Sequence, residues 1–232
     1  MKKEVKKIKA VIFDVGGVLQ IPKSFVRLID DSHLIGVPKH CGHRNKSVHE
    51  YLAKKFRILL DQWFDSIDTA YAKSIEGIIS EEQAIKTISK NLKTSPKKFK
   101  KFAIKAYKRN FILNRQLLKQ ALELKKLGYK IAILSDQWHL SKKALIPKFL
   151  SKYFFPVIVS CDVGMRKPNP KIYKLILKKL NLQSKQTLFI DNQIWNLRPA
   201  KKIGMKTILF KDNKQLFSDK NWKELFEKNN LK

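Results

Sequence analysis

The chain has 232 residues, 44% of them hydrophobic, enough for one large folded domain or two modest ones. No apolar run reaches the length of a membrane span, and no signal-peptide apolar stretch follows the basic N-terminus. The formal net charge of +31 admits a polyanionic partner, but arginine is scarce and the lysines are spread through every segment, so binding of nucleic acid is expected to be sequence-independent and salt-sensitive, with no specific nucleic-acid partner.

In chain order, Lys9–Val15 reads as a strand. Between Ser24 and Arg109 only helical periodicity is found. Val48–Leu60 and Gln62–Ile75 carry apolar residues at three- and four-residue spacing, Ser80 to Gln83 forms a capping box for a helix ending at Asn91, and Ser95-Pro96 opens another to about Asn110. After this insert the pattern alternates. Asn114 caps a helix that runs to Leu127 and stops at Gly128. Strands are expected at Lys130–Ser135, Pro156–Cys161, Thr187–Asp191 and Lys206–Phe210. Helices are expected at Leu140–Leu150, Pro170–Leu180, Pro199–Ile203 and around Asn221–Lys228. Short, wholly apolar strands alternating with helices specify an α/β fold, a Rossmann-like doubly wound parallel sheet covered on both faces. The expected organisation is a catalytic core, 1–21 and 108–232, with an all-helical cap, 22–107.

The stretch Val11–Leu19, VIFDVGGVL, places a carboxylate at the end of a buried strand beside two glycines. It admits a plain strand end and turn, or a nucleophile at the carboxyl edge of a parallel sheet, where such sheets bind ligands. Other strand ends carry polar residues too: Ser135-Asp136 after KIAILS, Lys167 in the loop after PVIVSC, and Asp191-Asn192 after TLFID. In a doubly wound sheet these ends meet along one edge.

Four stretches, VIFDVGGVL, IAILSD, VGMRKPNPKIY and TLFIDNQIWNLRPAKKIGM, carry a resemblance to the haloacid dehalogenase superfamily, in particular to its phosphatase-like members with a helical cap after the first motif. The resemblance implies a Mg²⁺-dependent phosphatase of a small phosphorylated metabolite. It implies that Asp14 is the nucleophile that becomes an aspartyl-phosphate. Ser135 would bind phosphoryl oxygens, and Lys167 would orient Asp14 and offset negative charge. Gly17 and Asp136 would join Ser135 and Lys167 around the substrate. Asp14, the Gly16 carbonyl, Asp191 and Asn192 would hold Mg²⁺. Two positions depart from the family pattern. Gly16 stands where most phosphatases of the family carry a second Asp as general acid/base, and Asn192 where a second adjacent Asp is usual. Both keep open a catalytically weak binding or regulatory protein as the alternative. A dehalogenase ranks third, because its motif near Asp191 would be serine-rich rather than acidic.

The remaining readings are local. Cys41 and Cys161 are too few for a disulfide framework and suit a reduced cytoplasm. Cys161 is expected to pack as a small hydrophobe at a strand end. His33, His40, Cys41, His43 and His49 cluster within 17 residues, but the spacing matches no common zinc pattern, and a cap loop is the simpler reading.

Overall fold

In the computed structural model, which describes residues 8–23 and 48–227, the apolar runs become seven strands: β1 (Ala10–Phe13), β2 (Gln20–Pro22), β3 (Phe111–Leu113), β4 (Lys130–Ser135), β5 (Val157–Val159), β6 (Thr187–Asp191) and β7 (Lys206–Leu209). Five of them form one sheet in the order β5-β4-β1-β6-β7. Every pairing in it is parallel. Because β1 is central, with β4 and β6 on its two sides, the chain reverses direction across the sheet at β1. The crevice at its carboxyl end is the ligand position of such folds.

The helices are α1 (Val48–Phe56), α2 (Leu60–Ile75), α3 (Glu81–Asn91), α4 (Pro96–Asn110), α5 (Arg115–Lys126), α6 (His139–Leu145), α7 (Lys148–Tyr153), α8 (Ser160–Val163), α9 (Pro170–Leu180), α10 (Ile194–Lys202), α11 (Asn213–Ser218) and α12 (Lys220–Glu227). Successive side chains of β1 serve opposite faces of the sheet. Ala10 and Ile12 pack with Ile172, Tyr173 and Ile176 of α9. Val11 and Phe13 belong to the other layer, with Leu117, Ala121 and Leu124 of α5 and Trp222 and Leu225 of α12. All four β1 side chains are sealed from water, which explains why the strand reads as a continuous apolar run.

The chain leaves and re-enters this core through an antiparallel ribbon, β2 with β3, in which Ile21 faces Ile112. Between them lie α1 to α4, whose apolar faces bury Leu52, Trp63, Ile67, Ile88, Phe99 and Ala103 in one cluster with Trp138 of the core. Ser80 and Ser95 cap α3 and α4 through their hydroxyls, as the sequence predicts. Asn114 caps α5, accepting from the Leu117 N–H at 3.2 Å, while its amide donates to the Val18 carbonyl and to Asn213 Oδ1. It thereby ties the ribbon to α5 and α11.

Several expected boundaries shift for local reasons. The helix expected at Leu140–Leu150 is two helices, because Pro147 cannot donate to a helical carbonyl and instead opens α7. The strand expected to reach Cys161 ends at Val159, and Ser160–Val163 turns into α8. The helix expected from Pro199 begins at Ile194, with Pro199 inside it. The three-residue strands β2 and β3 and the short α11 are too brief to show periodicity. Among the described residues no helix is long and apolar enough to cross a membrane.

Trp222 fastens α12 to the sheet. It is 2% exposed, and its ring meets Phe13 edge-on at 6.4 Å. Trp222→Ala is expected to cost about 3–5 kcal/mol through the cavity it leaves. Urea unfolding measures this, and a loss below about 1 kcal/mol would show that α12 contributes little to the core.

Candidate active site

Asp14 is the first residue past β1, and its N–H donates to the Ile190 carbonyl of β6 at 2.9 Å, so the neighbouring strand fixes its place. The turn that follows is tight. Val18 and Gln20 both donate their N–H to the Val15 carbonyl, and Gly17 donates to the Gln20 carbonyl at 2.7 Å. Gly17 has φ +86°, a left-handed conformation suited to glycine. A Cβ there would clash with the Asn192 side-chain amide. The Gly17 N–H is thus spent on the turn, and the residue's visible contribution is room for the Asn192 side chain.

Lys167 reaches in from the loop before α9 and is 2% exposed. Its ammonium lies 3.1 Å from Asp14 Oδ1 and 2.7 Å from Asp191 Oδ2, and it donates to the Leu134 carbonyl at 3.3 Å. Its main-chain N–H donates to Asp136 Oδ1 at 3.1 Å, which pins the loop to the end of β4. Burial acts against the charged ammonium, but Asp14, Asp191 and Asp136 together outweigh it and hold Lys167 above the ordinary lysine range. Burial also pushes the Asp14 carboxyl up. Lys167 pulls it down, Asp191 raises it again, and the nearby Ser135 hydroxyl and Val15 N–H lower it, leaving it at about 6. Asp136 is raised by burial against the pull of Lys167.

Asp191 is fully buried and well supplied with donors. Its Oδ1 accepts from the Gln193 N–H at 2.7 Å, and the Asn196 amide reaches both oxygens at 3.2 and 3.1 Å. Ser135 is also fully buried, at the end of the strand beside β1, and its hydroxyl accepts from the Gln137 amide at 3.1 Å. At this site Asn192 Oδ1 is buried without a hydrogen-bond partner, and Asp14 Oδ1 meets the Lys167 ammonium as an ion pair but accepts no hydrogen bond. Acceptors with spare capacity beside two carboxylates suit a hard cation that binds through oxygen.

The fold therefore brings together the predicted residues Asp14, Ser135, Asp136, Lys167, Asp191 and Asn192, with Gly16 and Gly17 in the turn between them. Three further residues support the site without a mark in the sequence. Gln137 donates to Ser135 Oγ at 3.1 Å, Ser160 holds the main chain of Gln137, and Asn196 holds Asp191. Each is a lone amide or hydroxyl in a loop or helix, and only the folded chain gives it a partner. A Cβ on Gly16 would lie 3.5 Å from Gln137 Nε2, so that amide borders the space an acid at this position would occupy.

The other singled-out residues are elsewhere. Cys161 is a free, buried thiol, pushed up to about 12 by burial first and then by Asp162. It is a packed side chain rather than a nucleophile at neutral pH. His33, His40, Cys41 and His43 lie outside the described residues. His49 accepts a hydrogen bond from Trp63 Nε1 at 2.9 Å among aromatic rings, and burial holds its pKa low. No group of three His, Cys, Asp or Glu side chains among the described residues is placed to hold a metal ion. Any metal at the Asp14 site would therefore draw on carboxamide or main-chain oxygens as well.

The family model for haloacid dehalogenase-like hydrolases matches residues 8–204. The chain belongs to this family of hydrolases. Bifunctional epoxide hydrolase 2 of Rattus norvegicus is 27% identical over 225 residues, which cover 88% of this chain and 37% of that protein. The chain thus spans little more than a third of that relative. Glyceraldehyde 3-phosphate phosphatase of Pyrococcus furiosus is 33% identical over 112 residues, 46% of this chain and 45% of that protein. Among solved structures, a family enzyme from Bacteroides thetaiotaomicron superposes with a TM-score of 0.71 at 20% identity, over 96% of this chain and all of that one. The same enzyme in complex with magnesium and inorganic phosphate gives 0.68 at 20% identity, over 90% and 99%. At this identity the likeness shows a shared fold.

The contrast between the two glycines is testable. Gly17→Ala is expected to destabilise by about 1–3 kcal/mol, because it combines left-handed strain with a clash against Asn192. Gly16→Ala, with its nearest neighbour at van der Waals distance, is expected to be nearly neutral. Denaturant midpoints compare them, and equal effects would contradict the packing of Asn192 on Gly17.

Proposed function

We propose that the chain is a phosphatase of small phosphorylated metabolites that requires Mg²⁺ and works through an aspartyl-phosphate on Asp14. The observation that carries this reading is the buried Lys167 ammonium shared by Asp14 and Asp191 at the end of the central strand. A carboxylate attacking a phosphate ester faces like-charge repulsion, and this cation lies where it can offset it. The phosphatase of Pyrococcus furiosus and the magnesium-phosphate complex of the Bacteroides enzyme support the same class of chemistry.

In this reading Asp14 attacks phosphorus, the new Oδ–P bond forms as the ester P–O bond breaks, and the leaving oxygen takes a proton from water. Water then hydrolyses the acyl-phosphate, releasing inorganic phosphate and the free carboxylate. Ser135 hydrogen-bonds a phosphoryl oxygen, and Lys167 holds Asp14 in line. Asp136 fixes the Lys167 loop at the substrate's edge. Gly17 shapes the turn beneath. Asp14, the Gly16 carbonyl, Asp191 and Asn192 would hold Mg²⁺, and the Asp14 and Asn192 oxygens that accept no hydrogen bond are the best fitted. When bound, the ion supplies positive charge to the phosphoryl group.

We further place a cap at 22–107 over a core at 1–21 and 108–232. The cap residues Tyr71 and Tyr107 meet Trp138, three residues past Ser135. We place the protein in the cytoplasm, without a specific nucleic-acid partner. A binding or regulatory protein is the second reading. It is favoured by Gly16, where the neighbouring Gln137 amide cannot take over acid/base work.

A panel of phosphorylated metabolites, assayed with and without Mg²⁺, separates these readings. Wild type is expected to hydrolyse at least one of them, with loss to background in Asp14→Asn and on removal of the metal. Phosphate binding without turnover on any substrate would favour the binding protein. Turnover unchanged in Asp14→Asn would sink the aspartyl-phosphate.

A further inference from the structure

Gln137 is 7% exposed and sits between the insert and the Asp14 pocket. It is held from both sides. Its N–H donates to Ser160 Oγ at 3.0 Å, and the Ser160 hydroxyl donates back to the Gln137 carbonyl at 3.3 Å. The next residue, Trp138, donates its indole N–H to Tyr107 of the insert at 2.8 Å. Two opposed anchors on consecutive residues leave the Gln137 side chain little freedom, and its amide donates to Ser135 Oγ at 3.1 Å.

A hydroxyl carries one hydrogen and can accept through its lone pairs. With an amide N–H bound to one lone pair, the Ser135 hydrogen is left to point elsewhere, and the carboxyl at the end of the neighbouring strand is that of Asp14. We propose that Gln137 is a positioning residue that fixes the Ser135 hydroxyl as a donor aimed at Asp14 and at the phosphoryl group Asp14 receives. The role deepens the phosphatase reading and rests on it for the second of those two acceptors. The relay Gln137 to Ser135 to Asp14 is built entirely from neutral donors. Ser160 belongs to the same device. It is fully buried, and its hydroxyl is engaged by the Gln137 main chain, accepting from the N–H and donating to the carbonyl.

The test is a double-mutant cycle between Gln137→Met and Ser135→Ala, read in two ways. One is kcat/KM for p-nitrophenyl phosphate with Mg²⁺. The other is affinity for inorganic phosphate with Mg²⁺, by calorimetry. Gln137→Met keeps the length of the side chain and removes the donor, and Gln137→Leu serves if the Met variant fails to fold. The expected result is a loss of about three- to tenfold in the wild-type background, and no further loss in the Ser135→Ala background, because the effect passes through that hydroxyl. The same factor in both backgrounds would mean that Gln137 only fills space, and would overturn the proposal. Wild-type turnover with additive losses would defeat this inference alone. Absent turnover with non-additive losses in phosphate affinity would defeat the phosphatase reading and leave the relay standing. A wild type that neither turns over p-nitrophenyl phosphate nor binds phosphate would overturn both.

Discussion

An ammonium sealed from water between two carboxylates sets the terms for the end of the central strand. Lys167 could not be buried as a cation without Asp14 and Asp191, and neither carboxylate could be buried beside the other without Lys167. The arrangement is still unbalanced. Two acidic side chains face one lysine, burial adds its own penalty, and the Asp14 carboxyl is held at about 6 as a result. Removing one partner from such a buried pair typically costs about 3–5 kcal/mol, because the other charge is left uncompensated. The site is therefore held for charge placement more than for stability, and its geometry favours a ligand that adds positive charge or spreads negative charge.

The rest of the fold supplies that arrangement with rigid supports. Asp14 hangs from β6 through its own N–H, and Asp191 is gripped by Gln193 and Asn196. Lys167 is pinned through its main chain by Asp136. Each charged group is thus held by hydrogen bonds independent of the ion pairs. The insert joins in through Trp138, which packs against Tyr71 and Phe99 and bonds Tyr107, just beyond the Ser135 loop. Helices far from Asp14 in sequence therefore bear on the segment that follows Ser135.

Much of this was legible in the sequence, for a physical reason. A buried parallel strand must be apolar throughout, so a carboxylate at its end stands out, and Asp14, Asp191 and the Ser135-Asp136 pair are all visible in that way. Lys167 is one of many lysines, and only its place in the motif distinguishes it. What stayed hidden depends on partners distant in the chain. Gln137 finds Ser160 across the gap between β4 and β5, and Asn192 finds the space above Gly17, contacts that no local pattern encodes. The same holds for the ribbon of β2 and β3, whose strands are too short for periodicity and are defined by each other across the insert. The Gly17 N–H shows how a local pattern can mislead. A glycine after a strand suggests a donor free for phosphate, yet here the turn itself consumes it.

The account turns on whether the Asp14 carboxylate itself takes the phosphoryl group. Rapid acid quench of the full chain during turnover of p-nitrophenyl phosphate with Mg²⁺, followed by borohydride reduction and peptide mass spectrometry, reads that directly. An acyl-phosphate at Asp14 is reduced to homoserine, and the account predicts that mass change at residue 14, absent without substrate and absent in Asp14→Asn. Turnover that leaves Asp14 unmodified at every quench time, from the first turnover to steady state, would contradict it.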